Sequence, residues 1–363
     1  MKLFSCHRCL QLLFFESTQC TRDGFRLAYL PDRDLMSGLD QDAGGPAWTA
    51  LTPAAEGARY HLCANSIEHN VCNWAIPEAE FAAAGPEGLC QACRLNRVIP
   101  NLSEPGAREA WARLEAAKRR VIYSLNGLGL PIEARSEANP AGLAFDFMRD
   151  AGEQKVWTGH SDGLITINIA EANDPFREKM RVELGETYRT LLGHFRHEIG
   201  HYYWDRLIKD RPALERFRAL FGDERVDYEE AKQQHYGDVT GNWSDNFVSQ
   251  YASMHPWEDW AETWAHYLHM VDTVETARAF GLSIRPTVPG PSVAARRLDL
   301  HSFEDLMSGW VPLTIALNSL SRSMGVPDTY PFVLSPKAVE KLAFVHQVVE
   351  QESPRGPVTK LDR

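Results

Sequence analysis

The sequence predicts an α+β fold: a mostly helical domain with a small sheet, preceded by a small cysteine-rich module. Three observations predict it. All seven cysteines fall before residue 94. Two later stretches, around residues 191–204 and 256–270, repeat apolar residues at steps of three and four, the period of a helix. Only two short runs between these regions alternate like strands. At 363 residues the chain has room for two domains. The reading is a metal-stapled module at 1–100, a larger domain at 101–351 and a flexible tail at 352–363.

The first hundred residues are rich in Gly, Pro and Asp, notably at 38–59, and poor in helical periodicity. A module that cannot build its own core and is stapled by metal fits that pattern. Cys6/Cys9 and Cys90/Cys93 are CxxC pairs, whose soft thiolates suit zinc. Two four-ligand sites need eight ligands, and Asp23 stands where a partner cysteine would complete a third pair with Cys20. One grouping is Cys6, Cys9, Cys20 and Asp23, then Cys63, Cys72, Cys90 and Cys93. The other joins the two intact pairs in one site. Proximity in the chain favours the first. One or two structural zinc ions are expected.

Charge narrows the function. The formal net charge is -11, and residues 1–100 hold eight Lys and Arg against eleven Asp and Glu. That disfavours nucleic acid and anionic membranes as partners and leaves a protein partner for the module. The apolar run LQLLFF is too short for a membrane span or signal peptide, so a cytoplasmic protein is expected.

Ser103-Glu-Pro reads as a helix start and Gly127 as its stop. Residues 142–148 and 163–169 read as strands, the second as a core strand or as an edge open to an extended peptide. Asp174-Pro175 would open one long helix carrying Leu184, Tyr188, Leu191, Leu192, Phe195, Ile199 and Tyr202 at helical spacing.

That helix contains His197-Glu198-Ile199-Gly200-His201. Residues four apart share a helix face, so His197 and His201 can bind one zinc ion. Glu198 can then take a proton from water held by the metal, whose pKa zinc lowers towards neutrality. Gly200 lets another element approach closely. His194 projects from about the same side and is read as support or packing.

The third ligand is expected downstream. Pro256 opens a helix whose buried stripe is Trp257, Ala261, Trp264, Ala265 and Leu268. At about 100° per residue, Glu258 lies roughly 60° from the centre of the stripe, Glu262 roughly 100° and Asp259 near 160°. Glu258 is therefore the candidate ligand, and Glu262 the acid that accepts the outer N–H of a ligand histidine. Asp259 falls on the far side, His266 reads as exposed and His269 as a satisfied edge histidine. Two His and one Glu leave a coordination position open. Tyr251 is the first candidate to donate to a developing oxyanion, with Tyr236 and His255 as weaker ones. Residues 283–297 read as a loop over or beside the site. Helices near 303–323 and 336–350 read as packing.

HEIGH at 197–201 with EDWAETWAHY at 258–267 resembles the gluzincin class of zinc peptidases. The spacing of Tyr251, Glu258 and Glu262 resembles that of lethal-factor-like metallopeptidases, where the matching tyrosine stabilises the oxyanion. FSCHRC, LFFE, CANS, CNW, LCQACRLNRVIP and HPWEDWAETWAHYLH together resemble a bacterial family of zinc-binding metallopeptidases with N-terminal zinc ribbons. The resemblance covers the chain to about residue 350. It implies a zincin-like domain behind a zinc ribbon. In that family a cysteine usually stands where this chain has Asp23. The expected function is zinc-dependent hydrolysis of a peptide or protein substrate, with one catalytic zinc. The alternative is a ribbon adaptor whose HExxH zinc site is not catalytic. Hydrolysis of a non-peptide amide would use the same chemistry.

Overall fold

The computed structural model describes residues 1–353 except 86, 184–188 and 238–241, and all of their side chains but those of 183, 236 and 237. The N-terminal module opens with β1 (Phe4–Ser5) paired antiparallel to β2 (Leu12–Leu13), a hairpin that presents Cys6 and Cys9. A five-stranded antiparallel meander follows: β3 (Arg26–Leu30), β4 (Leu35–Gln41), β5 (Trp48–Ala50), β6 (Arg59–Leu62) and β7 (Ala75–Pro77). The Gly- and Asp-rich stretch at 38–59 is thus largely strand and turn. One face buries Ala28, Leu30, Leu39, Ala50, Tyr60, Leu62 and Ala75, so the module has a small core of its own. The expectation that it had none is corrected, because alternation in these short strands is masked by alanine and glycine. The short helices α1 (Ala64–Ile67) and α2 (Glu78–Phe81) flank the last strands.

The next strand, β8 (Asn96–Val98), leaves the module and joins a second sheet. That sheet runs β10-β11-β9-β8, with β9 at Ala144–Met148, β10 at Gly159–Ser161 and β11 at Leu164–Asn168. β9 lies parallel to both β8 and β11, and β10 is antiparallel to β11. The run at 164–168 is therefore interior, and the edges are β10 and β8. The sheet packs on α3 (Ala107–Gly127), whose Trp111, Leu114, Val121, Ile122 and Leu125 are buried in the main core. α3 starts after Gly106 rather than at Ser103; Gly106, with a positive φ of 75°, is its N-cap.

The single long helix expected from Asp174 is two helices, α4 (Asp174–Glu183) and α5 (Leu191–Leu207). Thr190 is extended and its side chain accepts from the Gly193 N–H at 3.0 Å, a cap that starts α5 afresh. Leu184 and Tyr188 lie outside the described residues. α6 (Leu214–Phe221) and α7 (Tyr228–Gly237) follow, then the long α8 (Pro256–Phe280). A small hairpin, β12 (Ser283–Ile284) with β13 (Val293–Ala294), packs near Val274 and Ala277. That is about 24 Å along α8 from Glu258 at 1.5 Å per residue, so this segment does not lie over the site. α9 (Phe303–Ser323) and α10 (Pro336–Glu352) complete the domain, the latter capped by Ser335. The tail expected beyond residue 352 lies almost wholly outside the described residues.

α8 is covered by α5, α9 and α10, so most of its circumference is buried. Asp259 is fully buried and pairs with Lys341 of α10 at 2.6 Å. His266 is buried and shares a hydrogen bond with the Tyr330 hydroxyl at 2.7 Å. Both were expected on the solvent side. The periodicity of α8 marks its most apolar face, while α10 covers the opposite side with a partner charge.

Candidate metal centre

α5 and α8 cross at Gly200. A Cβ there would lie 2.9 Å from Ala261 Cα, so only glycine allows this approach. The Trp260 indole N–H donates to the Gly200 carbonyl at 2.8 Å and ties the crossing. One turn from it, the two helices bring His197, His201 and Glu258 together. Glu258 Oε2 lies 2.9 Å from His197 Nε2 and 3.3 Å from His201 Nε2, and the two Nε2 atoms are 3.1 Å apart. A tetrahedral zinc ion with bonds of about 2.0–2.1 Å sets its ligand atoms about 3.3 Å apart.

The chemistry of these atoms fits a cation. His197 Nδ1 lies 2.7 Å from Glu262 Oε1, and a carboxylate only accepts, so Nδ1 carries the proton. Neutral His197 then turns a lone pair on Nε2 towards the lone pairs of His201 and Glu258. Glu258 Oε2 and His201 Nδ1 are buried without a hydrogen bond. With Nε2 of His201 unprotonated as well, three lone-pair atoms this close form the arrangement that a cation between them satisfies. Glu262, as expected from its position, supports His197, and its Oε2 accepts from Ser249 at 2.6 Å. Burial opposes charge on Glu262, but the hydrogen bond from His197 Nδ1–H outweighs it and holds the carboxyl down to about 2.

Glu198 lies beside this group. One oxygen is 3.3 Å from His194 Nε2 and the other is buried without a partner. Burial pushes its carboxyl up, but the His194 imidazole beside it holds it below the usual range. His194 also lies 3.5 Å from Glu171, which Arg189 pairs at 2.9 Å. Burial opposes its charge, and Glu171 and Glu198 nevertheless raise it to about 9. His194 thus faces the base and is not among the converging ligand atoms. Tyr251 stands over His197, ring centroids 5.8 Å apart. Burial pushes its phenol well up, so it stays a proton donor.

Of the weaker oxyanion candidates, His255 is engaged elsewhere. His255 caps α8: its Nδ1 accepts from Trp257 N–H at 3.1 Å, leaving Nε2–H to donate to the Val226 carbonyl at 3.1 Å. The side chain of Tyr236 lies outside the described residues. His269 is satisfied, since Arg196 donates to its Nδ1 at 2.6 Å.

Sequence reasoning missed several neighbours. Tyr228 donates to Glu258 Oε1 at 2.8 Å. Trp257 tilts onto His201 with ring centroids 3.9 Å apart. His160, on edge strand β10, lies parallel to His201 at 6.3 Å, and its Nε2 accepts from Gly163 N–H. Tyr228 and His160 come from segments whose own pattern carries no metal signature, and Trp257 reads only as part of the apolar stripe of α8. A search for tyrosines with an acidic partner cannot rank Tyr228 among the eleven in the chain.

Two further groups converge in the N-terminal module, Cys6, Cys9, Cys20 with Asp23, and Cys63, Cys72, Cys90 with Cys93. This is the grouping that chain proximity favoured. Sγ atoms of Cys9 and Cys20, and of Cys72 and Cys90, lie 3.7 Å apart, and Cys6 Sγ is 3.3 Å from Asp23. Zinc–sulfur bonds of about 2.3 Å place sulfurs about 3.8 Å apart in a tetrahedron. The second group is buried against α3, where Cys93 Sγ lies 3.9 Å from Glu115 and the Arg119 guanidinium donates to the carbonyl of Val71, next to Cys72.

Comparison with known proteins agrees with this picture. Residues 107–348 match the family described as "Putative zinc-binding metallo-peptidase", and residues 3–104 match a zinc-ribbon domain. The chain is 42% identical over 357 residues to uncharacterized proteins of Mycobacterium bovis and Mycobacterium tuberculosis, covering 98% of this chain and 97% of theirs. No solved structure matches it. The chain belongs to the zinc-binding metallopeptidase family so described and carries that family's domain behind an N-terminal zinc ribbon.

Proposed function

We propose that the protein is a zinc-dependent peptidase acting in the cytoplasm on a peptide or protein substrate. His197, His201 and Glu258 hold the catalytic ion, and the two cysteine groups hold structural ions. Zinc bound there supplies a Lewis acid that acidifies water and polarises a carbonyl. Glu198, kept ionised, takes the proton from the attacking water and passes it to the leaving amine. Tyr251 donates its hydroxyl proton to the developing oxyanion. Glu262 and Ser249 hold His197 in the tautomer that turns Nε2 inward. The observation that carries the reading is the triangle of three lone-pair atoms beside a carboxylate oxygen that has no other partner.

The adaptor reading needs a site closed by a fourth protein ligand. Among the described residues only three side chains converge, and His194 is turned to Glu198. The ribbon's acidic balance favours docking of a protein rather than nucleic acid. Glu198→Gln tests the mechanism: it should keep the wild-type zinc content and lose hydrolysis of an unfolded protein substrate by at least about a hundredfold. Wild-type turnover by that variant defeats the mechanism.

A further inference from the structure

Tyr228 is absent from the mechanism above, yet it touches a ligand. It opens α7 and donates to Glu258 Oε1 at 2.8 Å. The other oxygen, Oε2, takes no hydrogen bond and faces both imidazoles. The carboxylate is thereby divided, one oxygen for the phenol and one for the cation. A carboxylate free to offer both oxygens could occupy two coordination positions, including the one that water and substrate need.

Tyr228 is held in this position from the N-terminus of α8. His255 places its Nε2–H on the Val226 carbonyl, two residues before Tyr228, and the two rings lie 5.3 Å apart. Trp257 packs near Tyr228 at 6.5 Å while covering His201.

We propose that Tyr228 is a positioning residue that holds Glu258 to the metal through one oxygen and so keeps open the coordination position that water and substrate need. This rests on the reading of His197, His201 and Glu258 as ligands. It assigns metal geometry to Tyr228 and oxyanion donation to Tyr251, and the two roles separate in experiment.

The test uses the full chain with zinc in the cysteine sites and cobalt or zinc in the third. Tyr228→Phe should bind zinc there ~10–100-fold more weakly, the usual effect of losing a partner of a ligand. Its cobalt visible absorption should weaken, as it does when a fifth ligand atom joins a tetrahedral ion. Tyr251→Phe should keep both metal readouts and lose turnover with KM little changed. Wild-type zinc affinity and cobalt spectrum in Tyr228→Phe overturn the proposal. Should that variant not fold, His255→Asn is read in its place, since it keeps a capping side chain and removes the bond to Val226. Weakened absorption there supports the proposal, and an unchanged spectrum overturns it. A wild-type protein that binds cobalt but hydrolyses nothing defeats the peptidase reading alone, and the metal readouts still decide the role of Tyr228. Undiminished metal binding by Glu258→Ala defeats the ligand assignment and this proposal with it.

Discussion

Gly200→Ala tests whether the crossing of α5 and α8 sets the geometry of the site. The added Cβ would lie 2.9 Å from Ala261 Cα, 3.2 Å from its carbonyl oxygen and 3.2 Å from Trp264 Cβ. Ordinary carbon contacts are about 3.5–4.0 Å, so the helices must part by roughly 0.5–1 Å. Overpacking of this kind costs ~1–3 kcal/mol, and the better helix propensity of alanine returns about 1 kcal/mol. Stability should therefore fall by at most ~2 kcal/mol. Metal binding is less forgiving, because ligand distances tolerate only about 0.2 Å. His201 sits next to Gly200 and Glu258 one turn before Ala261, so the displacement falls on the ligands themselves. Zinc affinity at this site should drop at least about tenfold, or ~1.4 kcal/mol. Urea unfolding gives the first quantity and competition with a chromophoric chelator the second. Ala261→Gly in the same background should not restore affinity, because the obstructing atoms of residue 261 are backbone and Trp264 Cβ stays in place. A folded Gly200→Ala protein with wild-type zinc affinity refutes the reasoning.

Two other substitutions probe groups away from the ligands. His266 is buried against Tyr330, and burial pushes its imidazole down to about 4 from an ordinary 6.5. The unfolded chain therefore binds the extra proton between those values, and stability rises with pH across that window. The contribution is fully present above pH 6.5 and lost as pH falls towards 4. Between pH 7 and pH 5 it amounts to about 2 kcal/mol, so His266→Gln should lose that much less stability than wild type over the same interval in urea unfolding. Equal losses in the two proteins would count against the buried neutral imidazole. Arg119 is buried beside the four-cysteine group and donates to the Val71 carbonyl at 2.6 Å. Arg119→Met removes the charge that offsets those thiolates, and should cost ~3–5 kcal/mol and speed zinc release to a chelator. Unchanged release would show that the sulfurs do not depend on it.

How far the site could be read from sequence depends on the range of the signal. His197, His201 and Gly200 are legible because helical spacing fixes a face within five residues. Glu258 and Glu262 are legible because the apolar stripe of α8 orients the helix, and 100° per residue then ranks the acids by angle. The same arithmetic fails for Asp259 and His266. It locates the most apolar face of α8 but says nothing of the cover that α10 and Tyr330 place on the opposite side. The break between α4 and α5 was hidden because Leu184, Tyr188 and Leu191 keep helical spacing through a segment where Thr190 restarts the hydrogen-bond ladder. Tyr228 was illegible for a different reason. Its partner is 30 residues away, beyond a turn, and the pairing exists only once His255 has fixed the chain at Val226.

The division into ribbon and peptidase domain is clearer in sequence than in space. β8 follows Cys93 by three residues and supplies one edge of the sheet on which α3 lies. α3 in turn carries Glu115, Lys118 and Arg119, all buried. Asn96 donates to Glu115 at 2.7 Å and accepts from Lys118, and Glu115 also accepts from the Trp111 indole at 3.1 Å. The four-cysteine group therefore abuts a polar cluster whose members come from both sides of the boundary. Buried charge of this kind is tolerable only when every member is present. Cutting the chain at residue 100 would remove an edge of the second sheet and leave Glu115 and Lys118 without Asn96. The inner cysteine site is thus part of the peptidase fold. The outer group of Cys6, Cys9, Cys20 and Asp23 is less enclosed, with Cys9 half-buried and Leu10 and Phe14 exposed beside it. Its flanks are nevertheless tied to the same domain, since Glu16 pairs with Arg120 of α3 at 2.6 Å and the N-terminal amine with Glu275 of α8 at 2.8 Å.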